Sequence, residues 1–343
     1  MAVMTILVYC CTNAQTANRF DIIICELMAD PTPQVNLPNN EWIELKNTSS
    51  QTFNLSGWRV GDVASQSGSM PAYNLKPDSF VIICAASAAT AMAAYGPTIT
   101  VTGFPSLDNT ADIIYLRSAA GKVIHTVNYN DAWYQNELKK EGGWSLEMID
   151  TKNPCSGFNN WKASTAINGG TPDKNNSVDA INPDNEAPKL LRGYAVDSVN
   201  VVLIFDEPLD SAKAAIANSY TISDAVGIPQ SAVVQPATFD KVILKLNTAL
   251  QRNKIYTVTV SGVFDCAGNM INGNSNSRIG LSELAGNMDI VVNEVLFNPK
   301  STGTDYVEIY NRSKKILDLK QTYIANRNSS GVIINIKQLS ADS

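Results

Sequence analysis

Short apolar stretches, some continuous and some alternating with polar residues, recur along the first part of the chain. Stretches of this kind, bounded by Pro, Asn and Gly, are typical of β-strands. The strongest candidates are residues 21–27, 41–47, 80–84, 111–118 and 122–129. Strands this short, with turns this frequent, predict a β-sandwich or a barrel.

A second series of strand candidates begins near residue 189. They are residues 200–210, 212–222, 241–247 and 255–263, the second of which starts with a short helical turn. About 100 residues in this arrangement is the size of an immunoglobulin-like sandwich.

The region between the two series, residues 150–188, is rich in Asn, Gly, Pro, Lys and Asp and has little periodicity. We predict a packed-down tail with Trp161 as its anchor, followed by a linker that ends near Pro188.

The beginning of the chain recurs near its end. DIIICELMADP at 21–31 is echoed by DIVVNEVLFNP at 289–299, and EWIELKN at 41–47 by DYVEIYN at 305–311. A repeat this distant predicts two copies of one domain on either side of a different one. The second copy is much shorter than the first, so we expect the natural chain to continue past Ser343, or a partner to complete the sheet.

Composition limits the possible partners. Charged residues are only 17% of the chain, and the net charge is -6 at pH 7. A nucleic-acid-binding surface needs clustered Lys and Arg, so nucleic acid is excluded as a partner. No stretch after residue 20 is apolar for long enough to span a membrane. The low charge and the many Asn, Ser and Thr residues favour an extracellular all-β protein.

The N-terminus has the pattern of a secretion signal. Residues 1–11 are almost wholly apolar, and Thr12-Asn13-Ala14 supplies the small residues that signal peptidase prefers. We therefore expect cleavage near Ala14 or Gln15. No Lys or Arg precedes the apolar run, so an atypical signal or a start further upstream stays open. A core strand and lipidation at Cys10 or Cys11 are the remaining alternatives.

Cleavage at that point would leave four cysteines: Cys25, Cys84, Cys155 and Cys266. An even number in an exported chain permits two disulfides, and four cysteines allow three pairings, among which the sequence does not choose. Cys25 and Cys84 lie in predicted strands and are equally consistent with buried free thiols. The chain has no CxxC pair to indicate a zinc or redox site.

The repeated motifs resemble the lamin tail domain. The resemblance rests on the apolar strand with Glu26 that ends in Asp30-Pro31, on EWIELKN, and on NLSGW at 54–58. The family has an immunoglobulin-like β-sandwich and occurs in nuclear lamins and in many exported bacterial proteins. The second copy departs from the motif, with Tyr306 at the position of Trp42.

Two later segments resemble the closing part of lamin tail domains of the exported Bacteroidetes type. They are EGGWSLEMID at 141–150 and GGTPDKNNS at 169–177. Asp173 replaces the last Gly of the usual GGTPG, so we expect that the turn differs there.

The middle unit resembles the SbsA-type bacterial immunoglobulin-like domain, through FDEPLD at 205–210, YTVTVSGV at 256–263 and DCAGNMI at 265–271. Together the patterns and resemblances predict an all-β fold of tandem immunoglobulin-like β-sandwiches. The expected segments are a signal peptide at 1–15, a lamin-tail-like domain with its closing tail at 18–178, a linker at 179–188, a bacterial immunoglobulin-like domain at 189–285 and a partial second lamin-tail-like domain at 289–343.

Candidate chemistry is sparse. His125 is the only histidine, so a Ser-His-Asp arrangement and a histidine metal site would both depend on it. Its neighbours in GKVIHTVNY predict a packed or surface strand residue instead. Glu41 and Glu44 lie three apart in a predicted strand and point to opposite faces, so they are not an acid–base pair.

Four glutamates recur between the copies. Glu44 and Glu308 occupy one equivalent position, and we predict that they accept hydrogen bonds from loop backbone at a domain rim. Glu26 and Glu294 occupy the other. The strand pattern places Glu26 on the face of Ile24, where a buried carboxylate would need a partner.

Two kinds of ligand have weak support. The acidic candidates for calcium are Asp30, Asp62, Asp206, Glu207 and Asp210, none of which belongs to a spaced Asp/Asn-Gly loop. The tryptophans that could line a sugar-binding face are Trp42, Trp58, Trp133, Trp144 and Trp161, although five tryptophans in one sandwich are typical of core and corner positions.

The sequence therefore assigns no catalytic, cofactor-binding or metal-binding residue. We expect a non-catalytic, exported structural or adhesive protein that is secreted or held at the outer cell surface, with a protein or a cell-envelope polysaccharide as its partner. Two alternatives stay open. One is a set of accessory domains of a larger extracellular hydrolase, such as a nuclease, whose catalytic region lies beyond residue 343. The other is a carbohydrate-binding module.

Overall fold

A computed structural model of the chain describes residues 16–300 and 303–339. The signal peptide predicted at 1–15 lies outside the described residues. The chain divides into two compact units. The first runs to Asn185 and includes Pro236–Thr238, and the second contains Glu186–Gln235 and the chain from Phe239 onward. In the described residues no helix is long and apolar enough to cross a membrane.

The first unit is built of short strands. They are β1 (Ile22–Met28), β2 (Trp42–Asn47), β3 (Phe53–Asn54), β4 (Arg59–Gly61), β5 (Asn74–Leu75), β6 (Phe80–Ala85), β7 (Thr98–Val101), β8 (Ala111–Arg117), β9 (Val123–Asn130), β10 (Leu146–Met148) and β11 (Trp161–Ala163). The short helix α1 (Ala89–Met92) and four 3₁₀ turns (Ala86–Ala88, Asp131–Tyr134, Lys139–Glu141 and Phe158–Asn160) complete its regular structure.

These strands form a sandwich with a six-stranded sheet on one side. Its order is β11-β10-β1-β2-β6-β7, and only the β6–β7 pairing in it is parallel. The sheet β4-β8-β9 forms the opposite layer, and β3 pairs with β5. The tail predicted at 150–188 does more than pack down, because Trp161 begins β11, which extends the six-stranded sheet at one edge.

β1 is buried along its whole length. One face contributes to the main core, where Ile43 and Leu45 of β2 also lie. The other face contributes to a smaller apolar cluster with Trp42, Cys84 and Met92. A strand covered on both faces has a continuous apolar run rather than an alternating one, which explains the sequence IIIC at its start.

The second unit is also all-β. Its first strands are β12 (Leu190–Ala195), β13 (Asn200–Phe205), β14 (Tyr220–Ile222), β15 (Ser231–Val234), β16 (Lys241–Lys245), β17 (Tyr256–Val260) and β18 (Ser275–Ile279). They form the sheets β12-β13-β16-β15 and β14-β17-β18, as in an immunoglobulin-like sandwich. The helical turn predicted within 212–222 is the 3₁₀ turn Ala217–Ser219, which leads directly into β14.

Two hairpins follow in the second unit. Their strands are β19 (Ile290–Leu296), β20 (Tyr306–Asn311), β21 (Tyr323–Arg327) and β22 (Ile333–Gln338). The pairing of β19 with β20 repeats that of β1 with β2 residue for residue, including the position of one register shift. The sequence repeat is therefore also a repeat of strand register.

Candidate functional site

The polar residues of the first unit gather around an irregularity in β1. The pairing of β1 with β2 shifts between Ile24 and Glu26, so Cys25 is the extra residue of a β-bulge. Such an extra residue disrupts the ladder, and buried backbone groups then need other partners. Two side chains supply them here. His125 Nδ1 accepts from the Ile24 N–H at 2.9 Å, and Asn176 Nδ2 donates to the Cys25 carbonyl at 2.9 Å.

Both ring nitrogens of His125 form hydrogen bonds within the first unit. It lies on β9 and is buried. Because the Ile24 N–H can only donate to Nδ1, the ring proton is on Nε2, which donates to the Pro154 carbonyl at 3.1 Å. Burial lowers the pKa of His125 to about 4, so the ring is neutral at neutral pH. The structure therefore places the only histidine as a packed strand residue.

Three buried glutamates lie side by side on the sheet face opposite the main core. Glu26 on β1 pairs in register with Glu147 on β10 and with Glu44 on β2, and all three are fully buried. We call Glu147, Glu26 and Glu44 the glutamate row.

The bulge decides which face carries the row. Simple alternation placed Glu26 on the face of Ile24, and this prediction is wrong. Ile24 pairs with Leu45, a residue of the main core, and Glu26 pairs with Glu44. Between these two pairs β1 advances by two residues and β2 by only one. Because Leu45 and Glu44 are adjacent on β2, they point to opposite faces, and so do Ile24 and Glu26. One extra residue therefore reverses the faces of everything after it.

The row is covered by residues 169–178, which we call the closing segment. Thr171 donates its N–H to Glu26 Oε1 at 2.8 Å and its hydroxyl to Glu147 Oε1 at 2.9 Å. The Asp173 N–H donates to Glu44 Oε1 at 2.5 Å.

Three further donors complete the cover. The Ser177 hydroxyl and the Val178 N–H donate to Glu147 Oε2 at 2.7 and 3.2 Å. The Ser145 hydroxyl, which lies just before β10, donates to Glu26 Oε1 at 2.6 Å. These donors are uncharged, and so is the Cys25 thiol, which donates to Glu44 Oε2 at 3.7 Å.

The two glycines of the GGTPD motif let this segment approach. Gly169 has a φ of +90°, and a Cβ there would lie 2.4 Å from the Gly143 carbonyl oxygen. A Cβ on Gly170 would lie 2.8 Å from Glu26 Oε1. Any side chain at either position would push the segment off the row.

Burial controls the protonation of Glu26 and Glu44. It raises the pKa of Glu26 to about 8, with a further rise from the neighbouring Glu147 charge. Burial likewise raises the pKa of Glu44 well above its usual value, with Glu26 as the next cause. The pKa of the Cys25 thiol is also raised by burial. These groups therefore hold their protons at neutral pH and do not act as exposed bases or nucleophiles.

The prediction that Glu44 accepts a hydrogen bond from loop backbone is confirmed, but the prediction that it lies at a domain rim is wrong. It accepts a hydrogen bond from loop backbone, at Asp173. However, it lies in the interior of the six-stranded sheet and is fully buried, not at a rim, because the closing segment covers that face. Glu41 precedes β2 and accepts from the Leu107 N–H at 3.1 Å, away from Glu44 as expected.

Sequence reasoning missed Glu147, Ser145, Thr171 and Asn176. The available signal was weak: Glu147 is the single charged residue in the apolar stretch LEM, and Thr171 follows the Gly-Gly pair. Neither signal says that these residues meet Glu26, which is more than a hundred residues away in the chain.

The other predicted candidates lie apart from the row. Asp62 accepts from the Ala64 N–H at 2.6 Å, and Asp210 accepts from the Ala212 and Lys213 N–H groups, so both carboxylates hold turns. The same is true of Asp30, which accepts from the Thr32 N–H and the Asn109 amide, and Asp206 accepts from the Lys189 N–H.

Four of the five tryptophans are buried in the first unit. The fifth, Trp144, is partly exposed, and the Lys139 ammonium lies 4.0 Å from the centre of its ring. Cys25 and Cys84 are buried free thiols, whereas Cys155 and Cys266 are disulfide-bonded.

The hairpin β19–β20 has an exposed glutamate pair at the positions of Glu26 and Glu44. Glu294 faces Glu308, and both are exposed. Asn293, at the bulge position of Cys25, donates its amide to Glu308, and the Tyr306 hydroxyl donates to Glu294. This pair is thus satisfied by its own hairpin rather than by a closing segment.

Comparison with known proteins gives two family matches and no curated relative. Residues 15–131 match the model of the Lamin Tail Domain, and residues 173–280 match that of the Bacterial Ig-like domain. No curated protein matches the chain.

Three similar solved structures are of surface-layer (S-layer) proteins. The N-terminal part of SbsC is 20% identical with a TM-score of 0.27, over 44% of this chain and 38% of that one. The structure titled rSbsC(31-844) and the one titled SbsC domains 1-6 are each 23% identical with a TM-score of 0.27, over 44% of this chain and 22% of theirs. The aligned parts thus span less than half of each of those chains.

The bulged hairpin and the strands that follow it to residue 130 lie within the first matched region, and β12 to β18 lie within the second. The chain therefore contains a lamin tail domain followed by a bacterial immunoglobulin-like domain.

Proposed function

We propose that this chain is a non-catalytic structural module of an exported protein, which acts as a scaffold and binding module at the cell surface or outside the cell. In this proposal residues 1–15 are a signal peptide. The lamin-tail-like domain at 18–178 is of the exported Bacteroidetes type and is joined by a linker at 179–188 to an SbsA-type domain at 189–285. A partial second lamin-tail-like domain follows at 289–343.

One observation carries the non-catalytic part of the proposal. The side chains of the first unit best suited to chemistry are His125, Cys25 and the three glutamates of the row, and all five are buried. Each is engaged with backbone or side-chain groups of its own unit. Groups held in this way build a rigid sandwich, and no substrate can reach them while it is closed.

The state of the cysteines supports export. Cys155 and Cys266 are both disulfide-bonded. Disulfides persist in secreted and surface proteins and are rare in the reducing cytosol. Carbohydrate binding through a tryptophan face has less support, because Trp42, Trp58 and Trp161 are buried in the sandwich.

The test compares binding with turnover. The purified chain is incubated with cell-envelope material from its source organism, with and without prior protease treatment of that material, and sedimented. We expect sedimentation with the envelope. Its loss after protease treatment identifies a protein partner, and its persistence identifies a polysaccharide. The matched control is the same chain unfolded in urea, which should stay in the supernatant.

A parallel assay measures hydrolysis of DNA, RNA and envelope polysaccharide by the same preparation. We expect no turnover. Turnover that copurifies with the chain and is lost in a folded His125→Leu or Glu26→Gln variant would overturn the proposal, as would failure of the folded chain to bind any envelope fraction.

A further inference from the structure

We propose that the closing segment is a proton-controlled latch, docked on the glutamate row while the row holds its protons and released from it as the row ionises. The proposal concerns residues 169–178 and the row Glu147, Glu26 and Glu44. It is independent of the surface role proposed above.

The geometry of the contact carries this inference. Neighbouring members of the row are opposite each other across antiparallel strands, where side chains are near enough to interact strongly. Like charges directly opposite each other are destabilising, and burial in a medium of low dielectric increases the repulsion. The row can therefore be buried only if it is at least partly protonated.

The closing segment makes no charged contact with the row, because its one cation, Lys174, is exposed to solvent. Its contacts with the row come from the Thr171 N–H and hydroxyl, the Asp173 and Val178 N–H groups, and the Ser177 hydroxyl. Asp173 adds a further carboxylate, whose charge opposes ionisation of Glu44. Ionisation of the row thus creates repulsion between its carboxylates. This repulsion would be relieved if the segment moved away and water entered.

The charged and titratable groups around the row come from several elements. They are Cys25 on β1, Lys46 on β2, Asp173 on the closing segment, Lys139 before β10 and Lys162 on β11. Lys162 lies in register with Glu147, and Lys139 interacts with the same carboxylate. Glu26 and Glu44 hold the protons on which docking depends.

The direction of the effect follows from the raised pKa values. Glu26 has a pKa of about 8 with the segment docked, and hydration after release would lower that pKa towards the ordinary value of 4.5. The docked state thus binds the proton more tightly, so raising the pH towards 8 favours release, by up to tenfold per pH unit for each proton lost, and this dependence levels off above about pH 8.

Hydrogen–deuterium exchange of the intact chain tests the latch. Millisecond quench-flow labelling between pH 6 and pH 9 gives protection factors, the intrinsic rate divided by the observed rate at each pH. We expect the peptide that spans 169–178 to lose at least tenfold of its protection between pH 7 and pH 9. Strand β6, on the same sheet, should keep its protection, which separates local release from unfolding of the unit.

Glu26→Gln should keep the segment protected at pH 9, because the amide keeps the acceptor and cannot ionise. Glu137→Gln, an exposed carboxyl of the same unit, is the matched control and should behave as the wild type. If Glu26→Gln does not fold, Glu44→Gln and a carbon-13 titration of the wild-type glutamate carboxyls replace it, with a Glu26 midpoint near 8 expected. Constant protection of the wild type to pH 9, an equal loss in β6, or a Glu26 midpoint near 4.5 would each overturn the latch.

Discussion

The hairpins β1–β2 and β19–β20 have the same register, the same bulge and the same facing glutamates, but opposite surroundings. Leu27, Met28 and Trp42 are at most 1% exposed in the first. The equivalent Val295, Leu296 and Tyr306 of the second are 51%, 36% and 45% exposed. The strand register is therefore determined by the sequence of each hairpin, whereas the burial of its side chains depends on which other segments of the chain pack against it.

The same difference separates two ways to satisfy a carboxylate. In the exposed hairpin, Glu308 accepts from its own strand partner Asn293, and water is available to both. In the buried hairpin, the Cys25 thiol stands at that position and donates to Glu44 at 3.7 Å, and the other donors come from the closing segment and Ser145. Glutamates of the first hairpin are consequently tied to residues far away in sequence, and their pKa values are raised by burial.

The largest expected effect on stability comes from removing the imidazole of His125, which accepts a hydrogen bond from backbone at the bulge in β1. His125→Leu leaves the Ile24 N–H and the Pro154 carbonyl without their partner, and each orphaned group costs about 1–3 kcal/mol. We expect the first unit to lose about 3 kcal/mol of unfolding free energy. All five tryptophans lie in this unit, so urea unfolding followed by tryptophan fluorescence reports on it alone.

The matched control is Thr126→Val on the same strand. The Thr126 hydroxyl is buried without a hydrogen-bond partner, so its removal should be neutral or slightly stabilising. If His125→Leu were as mild as Thr126→Val, the bulge would not need the imidazole, and our account of the first hairpin would be wrong.

The next effect is a dependence of the first unit's stability on pH. The folded state holds a proton on Glu26 up to about pH 8, whereas the unfolded chain releases it near 4.5, so stability falls as the pH rises through this window. His125 has the opposite sign. Its pKa falls from 6.5 to about 4 on folding, so its contribution is present above 6.5 and is lost as the pH drops to 4. Above pH 6.5 only the carboxyl trend remains, and we expect a loss of about 2 kcal/mol by pH 8.

Two substitutions separate the hairpins in this experiment. Glu26→Gln should flatten the loss between pH 6.5 and pH 8, measured as urea midpoints by tryptophan fluorescence. Glu308→Gln, at the exposed pair, should leave the whole profile unchanged. A wild-type profile that is flat or rising over this window would show that the row is ionised in the folded protein.

The sequence predicted more of the strands than of the site. The apolar runs in 21–27 and 41–47 were sufficient for β1 and β2, because a strand's pattern is local. A bulge leaves no mark in composition, so the face of Glu26 was assigned wrongly. The meeting of Glu26 with Glu147 and Thr171 depends on tertiary packing between segments far apart in the chain, which a single sequence does not display.

A smaller effect is expected at Asn176, which holds the other side of the first bulge. Its amide donates to the carbonyls of Cys25 and Met148 at 2.9 and 2.7 Å. Asn176→Ala removes both bonds, but it also removes a buried side-chain oxygen that has no partner, so we expect a net loss of about 1.5 kcal/mol. The exposed neighbour Asn175→Ala is the control and should change the urea midpoint little. Equal effects at the two positions would contradict this role.

The smallest effect concerns the backbone conformation at Asp173, within the closing segment. Asp173 has a φ of +62°, in the left-handed region that favours glycine. Asp173→Gly keeps the N–H that donates to Glu44 and removes a charge that raises the pKa of Glu44, which lowers the cost of burying that glutamate. The gain is partly offset by the greater freedom of Gly in the unfolded chain, so we expect about 0.5 kcal/mol of added stability. Asp173→Ala should destabilise the unit instead, because Ala has neither the freedom of Gly nor the local hydrogen bonding of Asp. Urea midpoints that rank Ala at or above Gly would show that the turn, unlike the row it covers, does not depend on a left-handed residue.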